Sequence, residues 1–167
     1  MNVRTIAEKD IPAYYNLSLK LDEETPFRLY EAGERPYDLE LFSTETKEFL
    51  KNPYSNIFLA EEGGQLTGYL QAIGRSPRRI RHVVSINIAI LQKYTGQGLG
   101  GKLFDALEVW AKQTGVKRLD LSVMMNNIPA QKLYEKLGFK KEGLKTFSMF
   151  VNGEYIDEYY MSKWLDN

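Results

Sequence analysis

The stretch Ile86-Asn87-Ile88-Ala89-Ile90-Leu91-Gln92-Lys93-Tyr94-Thr95-Gly96-Gln97-Gly98-Leu99-Gly100-Gly101-Lys102-Leu103 changes its periodicity twice. From His82 to Leu91 the even positions Val84, Ile86, Ile88 and Ile90 are all β-branched, and the odd positions Val83, Ser85, Asn87 and Ala89 are smaller or polar. That alternation predicts a strand with one face in a core and one face meeting something other than core. Past the glycines, Leu99, Leu103, Leu107 and Trp110 recur at helical spacing and predict a helix from Gly98 to Gly115. The first N–H groups of a helix lack internal partners, and its dipole favours an anion there. A strand, a glycine loop and a helix therefore make a cradle for a pyrophosphate, with the charge of Lys102 nearby. A merely flexible turn is a poor reading of Gly96, Gly98 and Gly100 at alternate positions followed by Gly101.

Gly96, Gly98 and Gly101 also satisfy Gly-x-Gly-x-x-Gly, with Asp120 about twenty residues on, as a dinucleotide-binding fold would have it. Three features disfavour that rival. The loop begins several residues past the last apolar residue of the strand. It follows a meander of strands. And the 66 residues after Gly101 leave little room for a doubly wound sheet.

Outward from this centre the chain reads as β, α, α, β, β, β, α, β, α, β, β. Upstream, Val3 to Ile6 is a strand, Asp10 caps a helix to about Leu21, and Asp22 to Ser43 is a long polar loop. Thr44 caps a short helix to Leu50. Asn56 to Glu61 and Leu66 to Arg75 are strands about a Gly63-Gly64 turn. Downstream, Leu119, Leu121 and Val123 alternate as a strand, Asn127 to Leu137 is a helix closed by Gly138, and Phe139 to Phe147 and Tyr155 to Trp164 are the last two strands. The 167 residues suit one domain, 1–167.

Composition prunes the chemistry. With no Cys there is neither a thiol nucleophile nor a Cys-based zinc site, and no metal is expected. The one His, His82, lies on the core-side parity of its strand, far from the glycine loop, and reads as structural. No Gly-x-Ser-x-Gly elbow presents a serine. Lys plus Arg and Asp plus Glu are 22 each, so no basic field favours nucleic acid. No apolar run is long enough for a membrane span or a signal peptide, and a cytoplasmic protein is expected.

The glycine loop from Leu91 to Gly100 resembles the acetyl-CoA loop of the GNAT family of N-acetyltransferases, Arg/Gln-x-x-Gly-x-Gly/Ala, with Thr95 departing at the Arg/Gln position. Asn127-Ile128-Pro129-Ala130-Gln131-Lys132-Leu133-Tyr134-Glu135-Lys136-Leu137-Gly138-Phe139 is similar to the family's Asn-x-x-Ala-x-x-Leu-Tyr-x-Lys-x-Gly-Phe. Residues 152–161 resemble the end of the branch that holds L-amino-acid and ribosomal-protein-type N-acetyltransferases. The resemblance implies a mixed α/β fold. Its sheet would have about seven mostly antiparallel strands and about four helices, with two parallel central strands splayed around acetyl-CoA. It implies that the backbone at Ile90 and Leu91 holds the pantetheine arm. The N–H groups of Gln97, Gly98, Leu99, Gly100 and Gly101, with Lys102 beside them, would hold the pyrophosphate. Asn127 would touch the pantetheine or cap its helix, and Lys136 would reach the nucleotide or sit in solvent.

Tyr134 falls where the family's general acid sits. Many relatives carry a Glu on the strand before the loop, and this chain offers Ser85 and Asn87, read as holding a water that relays the proton. Glu31 and Glu34 are candidate partners for a cationic amine. Arg75, Arg78, Arg79 and Arg81 form a basic cluster roughly 30 Å of strand away from the loop, read as a solvated hairpin tip. The resemblance implies acetyl transfer to a primary amine by direct attack in a ternary complex. The acceptor would be a small molecule, such as an amino acid or polyamine, or a protein N-terminus, and a homodimer is a family-level expectation. The alternative is a non-catalytic acyl-CoA sensor.

Overall fold

The computed structural model describes residues 1–166. Its elements are β1 (Asn2–Thr5), α1 (Ile11–Glu24), α2 (Leu39–Leu50), β2 (Asn56–Glu62), β3 (Gln65–Gly74), β4 (Val83–Ile90), α3 (Leu99–Thr114), β5 (Arg118–Met124), α4 (Ile128–Lys136), β6 (Lys140–Val151) and β7 (Glu154–Trp164). The seven strands form one sheet in the order β1-β2-β3-β4-β5-β7-β6. Every neighbouring pair is antiparallel except β4 and β5, which run parallel. This is the mixed sheet the sequence implies, and its antiparallel majority removes the dinucleotide-fold rival. Among the described residues no helix is long and apolar enough to cross a membrane.

Each face of the sheet has its own core. On one face Val84 and Ile86 of β4, with Leu119, Leu121 and Val123 of β5, pack against Leu99, Leu103, Phe104, Leu107 and Ala111 of α3. Ile88 and Ile90 join that core, so the even positions of β4 are the core side. Tyr134 of α4 and Phe139 extend it. Burying each of the α3 leucines contributes roughly 1.5–3 kcal/mol. On the other face Ile57, Leu59 and Tyr69 meet Ile11, Tyr14, Leu17 and Leu21 of α1. α1 and α2 cover only this half of the face, and the β5–β7–β6 half beyond them lies open.

Two helix starts differ from the sequence reading. Asp10 makes no side-chain cap on α1; its carboxylate accepts from Ala7 N–H at 2.7 Å and from both Arg4 Nη atoms. α2 begins at Leu39, five residues before Thr44, because Asp38 accepts from Leu41 N–H at 2.8 Å. Thr44 lies inside the helix and donates back to Glu40 O. The exposed Leu39 and Leu41 break the apolar period that would have marked this first turn.

The parallel pair is short. β4 and β5 pair only through Val83↔Arg118, Val84↔Leu119 and Ser85↔Asp120. From Ile86 and Leu121 onward the two strands share no ladder, while β3 still follows β4 to Ile90 and β7 follows β5 to Met124. The sheet therefore opens at its centre, on the side towards which both strands run.

Candidate functional site

The free edges inside this opening follow from hydrogen-bond parity. Leu91 N–H donates to Thr67 O of β3 at 2.9 Å. Along a strand the backbone groups of alternate residues face opposite neighbours, so those of Ile88 and Ile90 face β5, where the ladder has ended. Leu91 O accepts from Tyr94 N at 2.8 Å. Both backbone groups of Leu91, expected with Ile90 to hold the pantetheine arm, thus already have a partner within the chain. Ile90 remains open for that role, together with Ile88, which the sequence did not single out.

The glycine loop carries the open donors. No N–H of residues 96–101 makes a hydrogen bond among the described residues, and the first satisfied one is Lys102 N, donating to Gly98 O at 3.2 Å. Gly96 (φ 73°) and Gly98 (φ 79°) sit in the left-handed region that turns this run of donors. Gly100 has a different reason to lack a side chain, since a Cβ there would lie 2.7 Å from Leu133 Cδ2 of α4. The loop is stapled by its own side chains. Thr95 Oγ1 donates to Gln92 O at 2.8 Å and Gln97 Nε2 to Lys93 O at 2.9 Å. The Gln97 side chain is therefore engaged in shaping the loop, and what the loop offers an anion is backbone. Lys102 and Lys136 are exposed, with no ion pair among the described residues. Asn127 Oδ1 accepts from Ala130 N at 3.3 Å, so its side chain caps α4.

Tyr134 is buried, its ring meeting Phe104 at 6.1 Å and Phe139 at 5.8 Å between centroids. Burial pushes its phenol up to about 12, and its hydroxyl has no hydrogen-bond partner among the described residues. Its phenol therefore stays protonated near neutral pH.

On the α1 side of the opening lies a groove of about 1010 Å³, lined by Ser85 and Asn87 of β4, Tyr69 of β3, Asp120 and Ser122 of β5, and Arg28 and Arg35 of the α1–α2 loop, among others. Asn87 Nδ2 donates to Tyr69 Oη at 3.4 Å. Arg75, itself exposed, donates to Ser85 Oγ at 3.2 Å, so this member of the basic cluster also lines the groove. Ser85 and Asn87 are both on the groove wall; Arg28, Arg35 and Arg118, which share that lining, were not singled out from the sequence. Glu31 and Glu34 are exposed and outside the lining; Glu34 Oε2 accepts from Glu31 N–H at 3.0 Å within the loop. On the far wall Arg118 Nε lies 2.7 Å from Asp120 Oδ1, and its Nη1 donates to Glu142 at 2.9 Å. Arg118, with a further hydrogen bond from Ser162, holds the Glu142 carboxyl near 2. His82 packs edge-on against Trp164, 6.4 Å between ring centroids, away from the groove lining.

Comparison with known proteins adds to this geometry. The family model described as "Acetyltransferase (GNAT) family" matches residues 18–139. A proposed ribosomal-protein-alanine N-acetyltransferase of Bacillus subtilis is 37% identical over 64% of this chain and 68% of its own. The crystal structure of a GNAT-family acetyltransferase from Streptococcus pneumoniae superimposes with a TM-score of 0.92 at 26% identity, covering 98% of this chain and 99% of that one. A proposed acetyltransferase from Salmonella typhimurium, solved with its cofactor acetyl-CoA, superimposes at 0.85 with 21% identity, over 99% of this chain and 94% of the other.

Proposed function

The chain belongs to the acetyltransferase (GNAT) family and is an N-acetyltransferase; from that premise we propose that it binds acetyl-CoA at the β4–β5 opening and passes the acetyl group to a primary amine in a ternary complex. The observation that carries the reading is the run of N–H groups at 96–101 with no partner within the described chain. Such a run at a helix N-terminus suits the doubly charged pyrophosphate of a coenzyme A. The unpaired edge of Ile88 and Ile90 suits the amide-bearing pantetheine arm, which adds to a strand edge as a peptide would.

In this reading the thioester carbonyl lies beside the β4 edge, and the amine enters from the groove at Asn87. The neutral amine attacks the carbonyl carbon, a C–N bond forms and the C–S bond breaks. A water held by Ser85 and Asn87 takes the proton the nitrogen loses. The Tyr134 phenol gives its proton to the departing thiolate and recovers one from solvent. Holding both reactants at one place supplies much of the rate. The test is incubation with acetyl-CoA and a panel of primary amines, following free thiol. Amine-dependent release supports the reading. Tight acetyl-CoA binding without release from any amine would favour a sensor.

A further inference from the structure

We propose that the acceptor is an amine bearing a carboxylate next to its nitrogen, of the α-amino-acid type, and that Arg28 and Arg35 bind that carboxylate; this rests on the amine-acetylation reading above. Asp22 is almost fully buried, its side chain 2% exposed, and it accepts from two guanidiniums at once. Arg28 Nε lies 2.6 Å from Oδ1, and Arg35 Nε lies 2.6 Å from Oδ2. One carboxylate thus faces two cations whose side chains are only 9% and 16% exposed. A buried excess positive charge is costly unless an anion completes it.

The unused donors are identifiable. Arg28 spends Nη1 on Tyr69 Oη at 2.9 Å, and Arg35 spends Nη2 on Asp22 Oδ1 at 3.3 Å. Arg28 Nη2 and Arg35 Nη1 make no hydrogen bond among the described residues, and both residues line the groove. Guanidinium N–H groups match a carboxylate in geometry and charge.

Position favours an amine adjacent to that carboxylate. The Tyr69 hydroxyl accepts from both Arg28 and Asn87, so the guanidinium and the Asn87 amide are two hydrogen bonds apart. A carboxylate on Arg28 puts a nitrogen one carbon away beside Asn87, at the start of the β4–β5 opening. The groove's charge follows the same polarity. Arg75 adds to the cationic side. Across the floor, Arg118 is outnumbered by Asp120 and Glu142, an excess of negative charge facing the ammonium end. A polyamine would set cations against the arginines, and a peptide N-terminus offers them a neutral amide.

The experiment compares each of a set of L-amino acids with its α-amide and its decarboxylated amine in the thiol-release assay, for the wild type, Arg28→Gln and Arg35→Gln. Each single variant leaves Asp22 one arginine, which guards the fold, and a melting curve checks it. The expected wild-type preference for acid over amide is roughly 10²-fold in kcat/KM. Both variants should lose that preference chiefly through KM, with acetyl-CoA affinity unchanged. Amides or decarboxylated amines used as well as the acids by the wild type would overturn the assignment. So would an equal loss on acids and amides in the variants. Release from none of the three classes would instead sink the amine-acetylation reading itself.

Discussion

Replacing Tyr134 by Phe removes one oxygen and leaves the ring. The contacts with Phe104 and Phe139, at 6.1 and 5.8 Å between centroids, are made by ring carbons and survive the change. The hydroxyl has no hydrogen-bond partner among the described residues, so removing it leaves no orphan behind. Stability should therefore stay within about 0.5 kcal/mol, or about 2 °C in Tm for a chain of this size. Catalysis should respond very differently. A positioned general acid contributes on the order of 10²–10⁴-fold, so the chemical step should slow at least about 10²-fold, roughly 2.7 kcal/mol of barrier. The assay is single-turnover thiol release under saturating acetyl-CoA and amine, which keeps product release from masking the step, with acetyl-CoA affinity measured by calorimetry. Because burial pushes the phenol up to about 12, the wild-type rate should also show no alkaline loss assignable to this group below about pH 11. A Tyr134→Phe rate within twofold of wild type would refute the role. A parallel loss of rate and acetyl-CoA affinity would assign the hydroxyl to binding instead.

Other substitutions probe the scaffold around the site. Gly98→Ala puts a Cβ into open space but at φ 79°. It should cost about 1 kcal/mol of stability by thermal melt and weaken acetyl-CoA binding, since relief of the strain re-aims the 96–101 donors; unchanged affinity would separate the cradle from the cofactor. Gly74→Ala drives a Cβ to 1.9 Å from Tyr54 O, which is backbone and cannot step aside. A loss above about 2 kcal/mol by chemical denaturation is expected, and a neutral outcome would contradict this packing. Glu142 titrates near 2 in the fold, against an ordinary 4.5. Its pairing thus stabilises above pH 4.5 and is lost as pH falls through about 2. The stability gap between wild type and Glu142→Gln should be full at neutral pH and vanish at the acid end. It should stay below about 1 kcal/mol, because both partners are screened by solvent.

Sequence pattern carried the fold where it is periodic. The alternation of β4 and the apolar stripe of α3 appear as read, and the left-handed conformations of Gly98 and Gly115 that bound the helix were not themselves legible. It failed where tertiary partners decide. Asp10 looked like a cap until Arg4 and Ala7 N–H claimed its carboxylate. Asp38 lay in what read as an irregular loop, so Thr44 took its place as the expected cap. The glycine loop was legible as a cradle, but the engagement of Leu91 by β3, which exposes Ile88 and Ile90 instead, depends on which neighbour each strand edge meets. Arg28 and Arg35 had no pattern to mark them, seven residues apart in a polar loop. Only folding brings both to Asp22.

The most direct measurement is amide hydrogen exchange, residue by residue, with and without saturating acetyl-CoA. The amides of residues 96–101, Ile88 and Ile90 should exchange freely in the unliganded protein and slow markedly on binding, while Leu91, already bonded to Thr67, should change little. Acetyl-CoA binding that leaves 96–101 exchanging as before, or protection of those amides by a nicotinamide dinucleotide and not by acetyl-CoA, would contradict the placement of the cofactor.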